Sequence, residues 1–342
     1  MEPTYNVVVT GGYGLVGSAI QWAVQTQEDP MFGRQNGENW IFLSRADGDL
    51  RSEKKLRRMF VLEVLIPCRD YHAAEKIFEM YKPQKLIHLA AHVGGMFKNS
   101  EEPMTFLRDN LLIDQTVLRL AHIHKVSKVV SCLSTCIFPD ETVYPINESM
   151  LHDGPPHESN YGYAYAKRML EVSNRAYAKQ YGCEFMSVIP TNIYGPNDNF
   201  DDGCHFLPSL IKRLYEAKRQ DAKAVSLLGS GKAMRQFIYS RDIAKLIIWT
   251  LRHYKVDETA EISIEDVTKL AGSVAGFSGS IEWDLSASDG QLKKTADNGK
   301  LRKLLPDFEF TDIREGIQHT LAWYAEQREL ADGSRTKIKQ RL

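Results

Sequence analysis

The feature that most constrains this chain is a glycine-rich turn directly after its first apolar run. NVVVTGG (6–12) is typical of a buried strand, and Gly11, Gly14 and Gly17 mark the point where a helix is expected to begin. Glycines at such a junction permit a tight turn and let a pyrophosphate approach the backbone N–H groups of the helix N-terminus. The spacing is GxxGxxG, not GxGxxG, so the turn indicates dinucleotide binding and leaves an ordinary strand-to-helix turn as the alternative.

Apolar runs and stretches of helical spacing alternate along the N-terminal part of the chain. Further strands are predicted at 40–45, 85–91, 128–134 and 184–192, with helices at 15–25, 73–81, 104–124 and 164–181. This alternation predicts an α/β fold, a Rossmann-type doubly wound parallel sheet. Residues 1–192 are expected to form the dinucleotide-binding domain and 193–342 mainly a smaller C-terminal α/β substrate lobe, with 237–251 packing back on the sheet.

Composition narrows the classes of function. The 342 residues carry a formal net charge of −1, so no overall attraction to nucleic acid is implied. The chain has no apolar run of about 18 residues, the length that indicates a membrane span, and a cytoplasmic protein is predicted. The five cysteines are an odd number without a CxxC pair, which favours reduced thiols and predicts no metal site.

The end of the second strand bears on the choice of cofactor. WIFLSR (40–45) finishes with Ser44 and Arg45. An acidic side chain at this point would bind the ribose 2′-hydroxyl of NAD, whereas an arginine suits the 2′-phosphate of NADP. Arg45 therefore favours NADP, with a solvated surface arginine as the alternative.

A tyrosine and a lysine form a candidate acid–base pair. Within SNYGYAYAKRML (159–170), Tyr163 and Lys167 are four residues apart, which places them on one face of a helix. A phenol beside an ammonium has a lowered pKa and can exchange a proton with a carbonyl or an alcohol. The spacing is also common on solvated helix faces, so its weight depends on the glycine turn and on Ser134, which ends the strand predicted at 128–134.

Several motifs together resemble a known family. TGGYGLVG, HLAA (88–91), SCLST and YAYAK follow the order and spacing of the extended short-chain dehydrogenase/reductase superfamily. HVGGMFKN (92–99), SCLSTCIFPD, VIPTNIYGPNDNF and DGQLKKT closely resemble the GDP-L-fucose synthase family, which epimerises GDP-4-keto-6-deoxy-D-mannose at C3 and C5 and reduces its 4-keto group. The resemblance implies this activity, NADP(H) as the cofactor, a nucleotide-sugar substrate and a homodimer. The alternatives are another sugar-nucleotide epimerase or 4,6-dehydratase, or a catalytically impaired NADP-binding variant.

The resemblance also implies catalytic roles. Ser134, Tyr163 and Lys167 match the reductase triad, in which Ser134 bonds to the 4-keto oxygen, Tyr163 donates the proton and Lys167 tunes Tyr163 and holds ribose. Cys136 and His205 match the proton carriers of epimerisation, and which of them is the acid or the base at each carbon stays open. Thiols and imidazoles titrate near the working pH. Without the resemblance, His205 would be interpreted as a surface residue of a polar loop.

The remaining binding residues are also assigned by the resemblance. For NADP(H) they are Gly11, Gly12, Tyr13, Gly14, Leu15, Val16 and Gly17; Ser44, Arg45, Asp49 and Asp70; Leu89, Ala90 and Ala91; and Tyr163, Lys167, Pro190, Thr191, Asn192, Ile193 and His205. For the substrate they are Ser134, Asn192, Arg213, Leu228, Arg235, Asp289 and Lys294. Arginine forks suit diphosphate oxygens, although without the resemblance each of these charges would be interpreted as a solvated surface charge.

The chain departs from the family pattern in three places. SEKKLRRMFVLEVLIPC (52–68) separates Asp49 from Asp70, two residues expected at the adenine. The segment around HYKVDETAEISIED (253–266) is shorter than in the family, which puts a strand of the C-terminal lobe in doubt. Leu228 stands where members often carry tryptophan, which predicts weaker stacking on the nucleobase.

The stretch VVSCLSTCIFPD (129–140) contains two cysteines with different expected roles. Cys132 is expected to pack within the sheet as a small apolar residue without chemistry. Cys136 follows in the loop and is expected to be the reactive thiol.

Overall fold

The computed structural model describes residues 4–44, 46–47, 71–201, 204–253, 261–284, 296–297 and 299–339. The strands are β1 (Tyr5–Thr10), β2 (Glu38–Phe42), β3 (Lys85–His88), β4 (Lys128–Cys132), β5 (Glu184–Val188), β6 (Asn192–Tyr194), β7 (Ala224–Leu228), β8 (Met234–Tyr239), β9 (Glu261–Ser263) and β10 (Ser280–Asp284). The helices are α1 (Leu15–Thr26), α2 (Tyr71–Tyr81), α3 (Met96–Glu101), α4 (Pro103–Ile123), α5 (Tyr161–Tyr181), α6 (Phe206–Arg219), α7 (Ser240–His253), α8 (Ile264–Ala275), α9 (Gly299–Leu304) and α10 (Ile313–Lys339).

The first five strands form one parallel sheet in the order β2-β1-β3-β4-β5. The predicted α/β fold with a Rossmann-type parallel sheet is therefore confirmed. From β1 the chain crosses to β2 on one side, and it then returns to β3 on the other side of β1. Ligands of open α/β sheets bind at such a reversal, outside the carboxyl ends of the strands.

Both faces of this sheet are covered, as expected for parallel strands. Successive residues of β1 point to opposite faces, so they belong to two different cores. Helices α2, α4 and α5 cover one face, and α1 and α7 cover the other. The first core includes Val8, Phe78, Val117 and Leu170, and the second includes Val7, Val9, Ile20 and Ile247.

A buried ion pair fastens the end of α7 to the start of β2. Arg252 donates to both carboxylate oxygens of Glu38, at 2.7 and 3.1 Å, and the two side chains are 3% and 0% exposed. The same guanidinium also donates to the carbonyls of Pro30 and Gly33, at 2.6 and 2.7 Å. The segment 237–251 thus lies against the central sheet, and Arg252, the residue that follows it, anchors it there.

The chain after β5 departs from the predicted strand at 184–192. That segment divides at Pro190, whose missing N–H interrupts a strand ladder, into β5 and the separate β6. Strand β6 pairs with β8, and β8 pairs antiparallel with β9, so a strand is present at 261–263, where the shortened segment put one in doubt. The inserted stretch 52–68 lies outside the described residues.

The C-terminal lobe has a core of its own. Strands β7 and β10 pair in parallel beside helices α6, α8 and α10. This core includes Leu210, Leu214, Val267 and Ile317. Among the described helices, none combines the length and the apolar character that crossing a bilayer needs.

Candidate active site

The glycine turn lies at the reversal of strand order. Gly11 has a φ of +68°, and a Cβ atom there would be 2.9 Å from the backbone nitrogen of Ala90. A Cβ on Gly12 would be 2.7 Å from the Cβ of Phe42, and one on Gly17 would overlap the carbonyl oxygen of Gly11. No other residue fits these positions without movement of backbone. The turn is therefore built for close approach of three backbone segments.

The turn opens onto the N-terminus of α1. Gly14 is the N-cap residue, no side chain of the described residues caps the helix, and its first turn contains no acidic residue. Residues 89–91 border the same turn, since the N–H groups of Leu89 and Ala90 donate to the Thr10 carbonyl and hydroxyl oxygens, each at 3.2 Å. Uncapped N–H groups and the helix dipole favour an anion here, so the turn fits a dinucleotide pyrophosphate.

An acidic residue lies beside Ser44, just beyond the end of β2. The carboxylate of Asp47 accepts hydrogen bonds from the backbone N–H and the hydroxyl of Ser44, both at 2.8 Å. These bonds hold the pKa of Asp47 below its usual range. Asp47 is thus engaged locally, and the sequence analysis did not single it out. Arg45, Asp49 and Asp70 lie outside the described residues.

Ser134 and Cys136 share one tight turn beyond β4. Ser134 caps a one-turn 3-10 helix, Thr135–Ile137, and its hydroxyl oxygen accepts the N–H of Cys136 at 3.4 Å. The N–H of Thr135 donates to the Pro190 carbonyl at 3.3 Å, which fastens the turn to the segment before β6. The hydroxyl and the thiol predicted to act on the substrate are thereby held together.

Tyr163, in the first turn of α5, lies close to both thiols of this region. Burial raises the pKa of its phenol well above the usual range, and the Cys136 and Cys132 thiols and the Asp114 carboxylate raise it further. The pKa of Tyr163 is therefore raised, not lowered as the sequence analysis expected from Lys167. The reason is that burial disfavours the phenolate, while Asp114 engages the lysine.

Cys132 also borders the site. It is the last residue of β4, is partly exposed, and has a pKa that burial raises to about 11, partly offset by Lys167. A thiol with this pKa stays protonated at neutral pH. Cys132 thus lies within electrostatic range of Lys167, and its expected role as a packing residue without chemistry stays a prediction. No disulfide links the cysteines in the described part of the chain.

Lys167 belongs to a buried polar network that the sequence analysis missed. Its ammonium donates to Asp114 Oδ1 at 3.3 Å, and the same oxygen is 3.0 Å from His88 Nε2. His88 Nδ1 is in turn 2.9 Å from the Thr10 hydroxyl, next to the glycine turn. The sequence did contain a signal for it: a histidine in the apolar strand 85–91 and an acidic residue on the inward face of α4. Buried polar groups need hydrogen-bond partners, so these two residues could have been predicted to belong to a polar network.

His205 lies at the start of α6, on a different segment of the chain from Ser134, Cys136 and Tyr163. It is the N-cap residue, its side chain is accessible, and no described residue forms a hydrogen bond with its ring. Surrounding protein removes enough water to lower the pKa of His205 below 6.5, so the ring is neutral at physiological pH. Nearby in the chain, burial raises the pKa of Asp198 to about 7, and one of its carboxylate oxygens is buried and accepts no hydrogen bond from the part of the chain that the structure describes.

The residues expected at the sugar end of the cofactor lie between the two sheets. Asn192 begins β6, and its side-chain amide donates to the Gln236 carbonyl at 2.8 Å. Thr191 has a buried hydroxyl that lacks a hydrogen-bond partner among the described residues, a group that a bound ligand would satisfy. Ile193 packs against the core beneath α1 and α7.

The residues expected at the nucleotide end lie in the C-terminal lobe. Arg213 is exposed on α6 and donates to the Ser226 carbonyl at 3.0 Å, beside the β7 strand that ends in Leu228. Leu228 is 47% exposed, so its side chain is available for contact with a base. Arg235 lies on β8 and donates to the Met234 carbonyl at 2.8 Å. Asp289 and Lys294 lie outside the described residues.

Comparison with known proteins shows the family to which this chain is similar. Residues 7–264 match the model of the NAD dependent epimerase/dehydratase family. The chain is 45% identical to a GDP-L-fucose synthase of Dictyostelium discoideum, over 95% of this chain and 97% of that one. It is 44% identical to a probable GDP-L-fucose synthase of Drosophila melanogaster, over 94% and 97%. A crystal structure of a GDP-L-fucose synthetase from Naegleria fowleri bound to NADP has a TM-score of 0.82 and 38% identity, covering 96% of this chain and 95% of that one.

Proposed function

We propose that this chain, which belongs to the NAD dependent epimerase/dehydratase family, is an enzyme that converts GDP-4-keto-6-deoxy-D-mannose to GDP-L-fucose with NADPH. The observation that carries the proposal is the shared turn of Ser134 and Cys136 beside Tyr163, because one site then contains groups for both reduction and epimerisation. The similarity over nearly the whole chain to proteins named GDP-L-fucose synthase supports it.

NADPH is the proposed cofactor, and it supplies hydride to C4 of the sugar when bound. The glycine turn and the N-terminus of α1 would bind its pyrophosphate, because the uncapped N–H groups attract an anion. Residues 89–91 and 190–193 would border it on either side, with Lys167 at the ribose. Residues 1–192 would thus form the cofactor domain and 193–342 mainly the substrate lobe.

Reduction of the ketone needs a proton donor at its oxygen. Tyr163 suits this role because its raised pKa keeps the phenol protonated at working pH. Ser134 would donate a second hydrogen bond to the same oxygen and hold it in place.

Epimerisation needs proton transfer at the two carbons that flank the ketone. Cys136 would act from the turn that also carries Ser134, and His205 from the start of α6. The lowered pKa of His205 leaves its ring neutral, so it can accept a proton before it returns one. Polarisation of the ketone by Tyr163 and Ser134 acidifies the same C–H bonds, which couples the two reactions in one site.

The guanosine diphosphate would lie over the C-terminal lobe. Arg213 and Arg235, with Asp289 and Lys294, are the proposed contacts of the diphosphate and the nucleoside. Leu228 would contact the base through an apolar side chain alone, which stacks less strongly than an aromatic ring.

We also propose a cytoplasmic homodimer that associates through α4 and α5. These two adjacent helices carry apolar side chains exposed to solvent, which are Met104, Ile123, Tyr161, Met169 and Tyr181. A second copy would cover such a surface in a four-helix contact. Light scattering coupled to size exclusion should give twice the mass of 38.9 kDa, and a monomeric mass would contradict the dimer.

The direct test is to incubate the chain with GDP-4-keto-6-deoxymannose and NADPH and to follow the absorbance of the reduced nicotinamide. We expect stoichiometric loss of absorbance and formation of GDP-L-fucose, with much slower loss when NADH replaces NADPH. An epimerase or a 4,6-dehydratase that regenerates its cofactor would give no net loss. Thermal unfolding with NADPH and with GDP provides a second measurement, because a chain stabilised by neither ligand is not this enzyme.

A further inference from the structure

The segment that leads to His205 lies against the long C-terminal helix. Phe200 stacks on Tyr324 of α10, with ring centroids 4.3 Å apart and an angle of 24° between the ring planes. The ring of Trp323, one residue earlier in the same helix, is 5.8 Å from that of Phe200. Aromatic rings in such contact attract each other beyond the burial of their apolar surface. The segment 195–205 is therefore docked on α10 through Phe200.

Short-range hydrogen bonds connect Phe200 to His205. The carbonyl of Asp201, the residue after Phe200, accepts the N–H of Cys204 at 3.2 Å, and Cys204 directly precedes His205. On the other side of Phe200, the Asn199 side chain accepts the Asp201 N–H at 2.9 Å. Bonds between residues so close in the chain close tight turns. The backbone of His205 thus lies a few residues of turn from the ring that docks on α10.

Tyr324 also contacts α6, the helix that follows His205. Its hydroxyl donates to Glu216 Oε1 at 3.4 Å, and its ring lies nearly perpendicular to that of Tyr215, with 5.5 Å between the centroids. The Ser209 N–H donates to the His205 carbonyl at 3.2 Å, which ties His205 to the first turn of α6. One ring of α10 therefore contacts both the segment before His205 and the helix after it.

The start of the segment is held by the same helix. Tyr194, the last residue of β6, donates from its hydroxyl to the Ile313 carbonyl at 3.4 Å, at the beginning of α10. A Cβ atom on Gly195 would overlap the Ser240 side chain, so the segment leaves β6 in close contact with the start of α7. With a rise of about 1.5 Å per residue, the contacts at Ile313 and Tyr324 are about 16 Å apart along α10. Helix α10 thus supports the segment at two separate points.

We propose that Phe200 and Tyr324 are positioning residues for epimerisation, which hold the backbone of His205 where its ring reaches the sugar. Reduction does not depend on their contact, because Ser134 and Tyr163 belong to other elements, the turn after β4 and the first turn of α5. The proposal rests on the proposed function, in which His205 carries a proton.

Phe200→Leu provides the test, because it keeps an apolar side chain and removes the ring that stacks on Tyr324. The maximal rate of GDP-L-fucose formation should fall by about tenfold or more, since a small misplacement of a proton carrier is enough for such a loss. The KM for the ketosugar should stay within about twofold, because the proposed contacts of GDP are unchanged.

The configuration of the product gives the decisive measurement. Inversion at a carbon needs proton carriers on both faces of the sugar, whereas NADPH, Ser134 and Tyr163 can still reduce a ketone that has not been epimerised. Proton NMR should therefore show that more of the product of Phe200→Leu keeps the configuration of the substrate at C3 and C5. A general loss of structure would lower both products together.

Phe277→Leu is the matched control. Phe277 lies in the turn between α8 and β10 and, like Phe200, is partly buried against the core of the C-terminal lobe. Its loss should lower the stability of the lobe but leave GDP-L-fucose formation within about twofold of the unsubstituted rate.

Tyr324→Leu tests the contact from the side of the helix. It removes the other ring, so its products should resemble those of Phe200→Leu. The double variant should form GDP-L-fucose no more slowly than the slower single variant, because the two residues act through one contact. Phe200→Met replaces Phe200→Leu if thermal unfolding shows that the leucine protein does not fold.

Two results would overturn the proposal. One is a folded Phe200→Leu protein that forms GDP-L-fucose at the unsubstituted rate. The other is a loss of GDP-L-fucose that Phe277→Leu shares, or that occurs without a rise in unepimerised product. If the unsubstituted chain forms no GDP-L-fucose, or if His205→Ala forms it at the full rate, the proposed function itself is wrong, which distinguishes the two failures.

Discussion

The hydroxyl oxygen of Ser134 accepts the backbone N–H of Cys136 at 3.4 Å, so the two side chains belong to one turn. The turn follows β4, and the Thr135 N–H ties it to the Pro190 carbonyl, in the segment between β5 and β6. The group that would hold the ketone oxygen and the group that would move a proton at the adjacent carbon are therefore carried by one short turn.

The two half-reactions should separate by mutation. Tyr163→Phe removes the proton donor, so reduction should fall by about 100-fold or more, while deuterium exchange into the ketosugar continues. Cys136→Ser should lose that exchange and still bind NADPH. Nicotinamide absorbance and mass spectrometry of the ketosugar in deuterium oxide measure the two processes in one sample.

Cys132 provides the matched control for Cys136. Its pKa of about 11 keeps the thiol protonated, so it cannot serve as a base near neutral pH. Cys132→Ser should therefore exchange deuterium at a rate within about threefold of the unsubstituted protein. Equal loss of exchange in both serine variants would contradict the assignment of epimerisation to Cys136.

Arg168 should influence Cys136 through its charge. Its Nε donates to the Ile137 carbonyl at 2.6 Å, one residue beyond the thiol, and the side chain is buried. Although burial lowers the pKa of Arg168, a guanidinium remains charged and favours a thiolate beside it. Arg168→Met should slow exchange by about tenfold and move its acid limb to higher pH.

The control for this charge effect lies on the same helix. Arg175 is on the exposed side of α5, paired with Glu171 at 3.1 Å. Arg175→Met should leave both the exchange rate and its pH dependence unchanged. An Arg168→Met protein that slows without a shift of the acid limb would indicate displacement of the turn instead.

Local pattern predicted most of the fold. The alternation of apolar runs and helical spacing located β1 to β4 and helices α1, α2, α4 and α5 within a few residues, because each depends on neighbours in the chain. The buried network could not be predicted in this way. Lys167 and Asp114 are 53 positions apart and His88 and Thr10 are 78 apart, so their contact depends on how the strands are ordered.

For the candidate active site, too, the sequence predicted the local features but not the contacts between distant residues. The turn of Ser134 and Cys136 is local, and its motif was sufficient to single it out. The pKa of Tyr163 was predicted with the wrong sign, because the sequence placed Lys167 beside the phenol but did not reveal Asp114, which engages the lysine.

The glycine turn predicts how the stability of the protein responds to alanine at Gly11 and at Gly14. Gly11→Ala combines a positive φ with a Cβ 2.9 Å from a backbone nitrogen, so it should destabilise the protein by about 2 kcal/mol. Gly14→Ala is the matched variant, since its Cβ would meet nothing closer than 3.5 Å, and its stability should stay within about 0.5 kcal/mol. Urea denaturation measures both, and equal losses would contradict the geometry.

The ion pair of Glu38 and Arg252 should make stability depend on acid pH. Although burial alone would raise it, the pKa of Glu38 lies below 4.5 because Arg252 and the neighbouring N–H groups bond to the carboxylate. The pair therefore contributes fully above about pH 4.5, and its contribution is lost as pH falls through the lower pKa of the folded state. Glu38→Gln leaves a buried guanidinium without its counter-charge and should cost about 3 kcal/mol at pH 7.

The dependence of stability on acid pH distinguishes this buried ion pair from ion pairs on the surface. In Glu38→Gln, the free energy of unfolding should vary less between pH 7 and pH 3, because the variant lacks a carboxylate that loses its charge as the pH falls through its lowered pKa. The exposed pair of Arg219 and Asp332, at 3.1 Å, provides the control, because water screens it. Asp332→Asn should leave the urea midpoint unchanged at both pH values. A Glu38→Gln protein with the full acid dependence of the unsubstituted chain would show that other carboxylates are responsible.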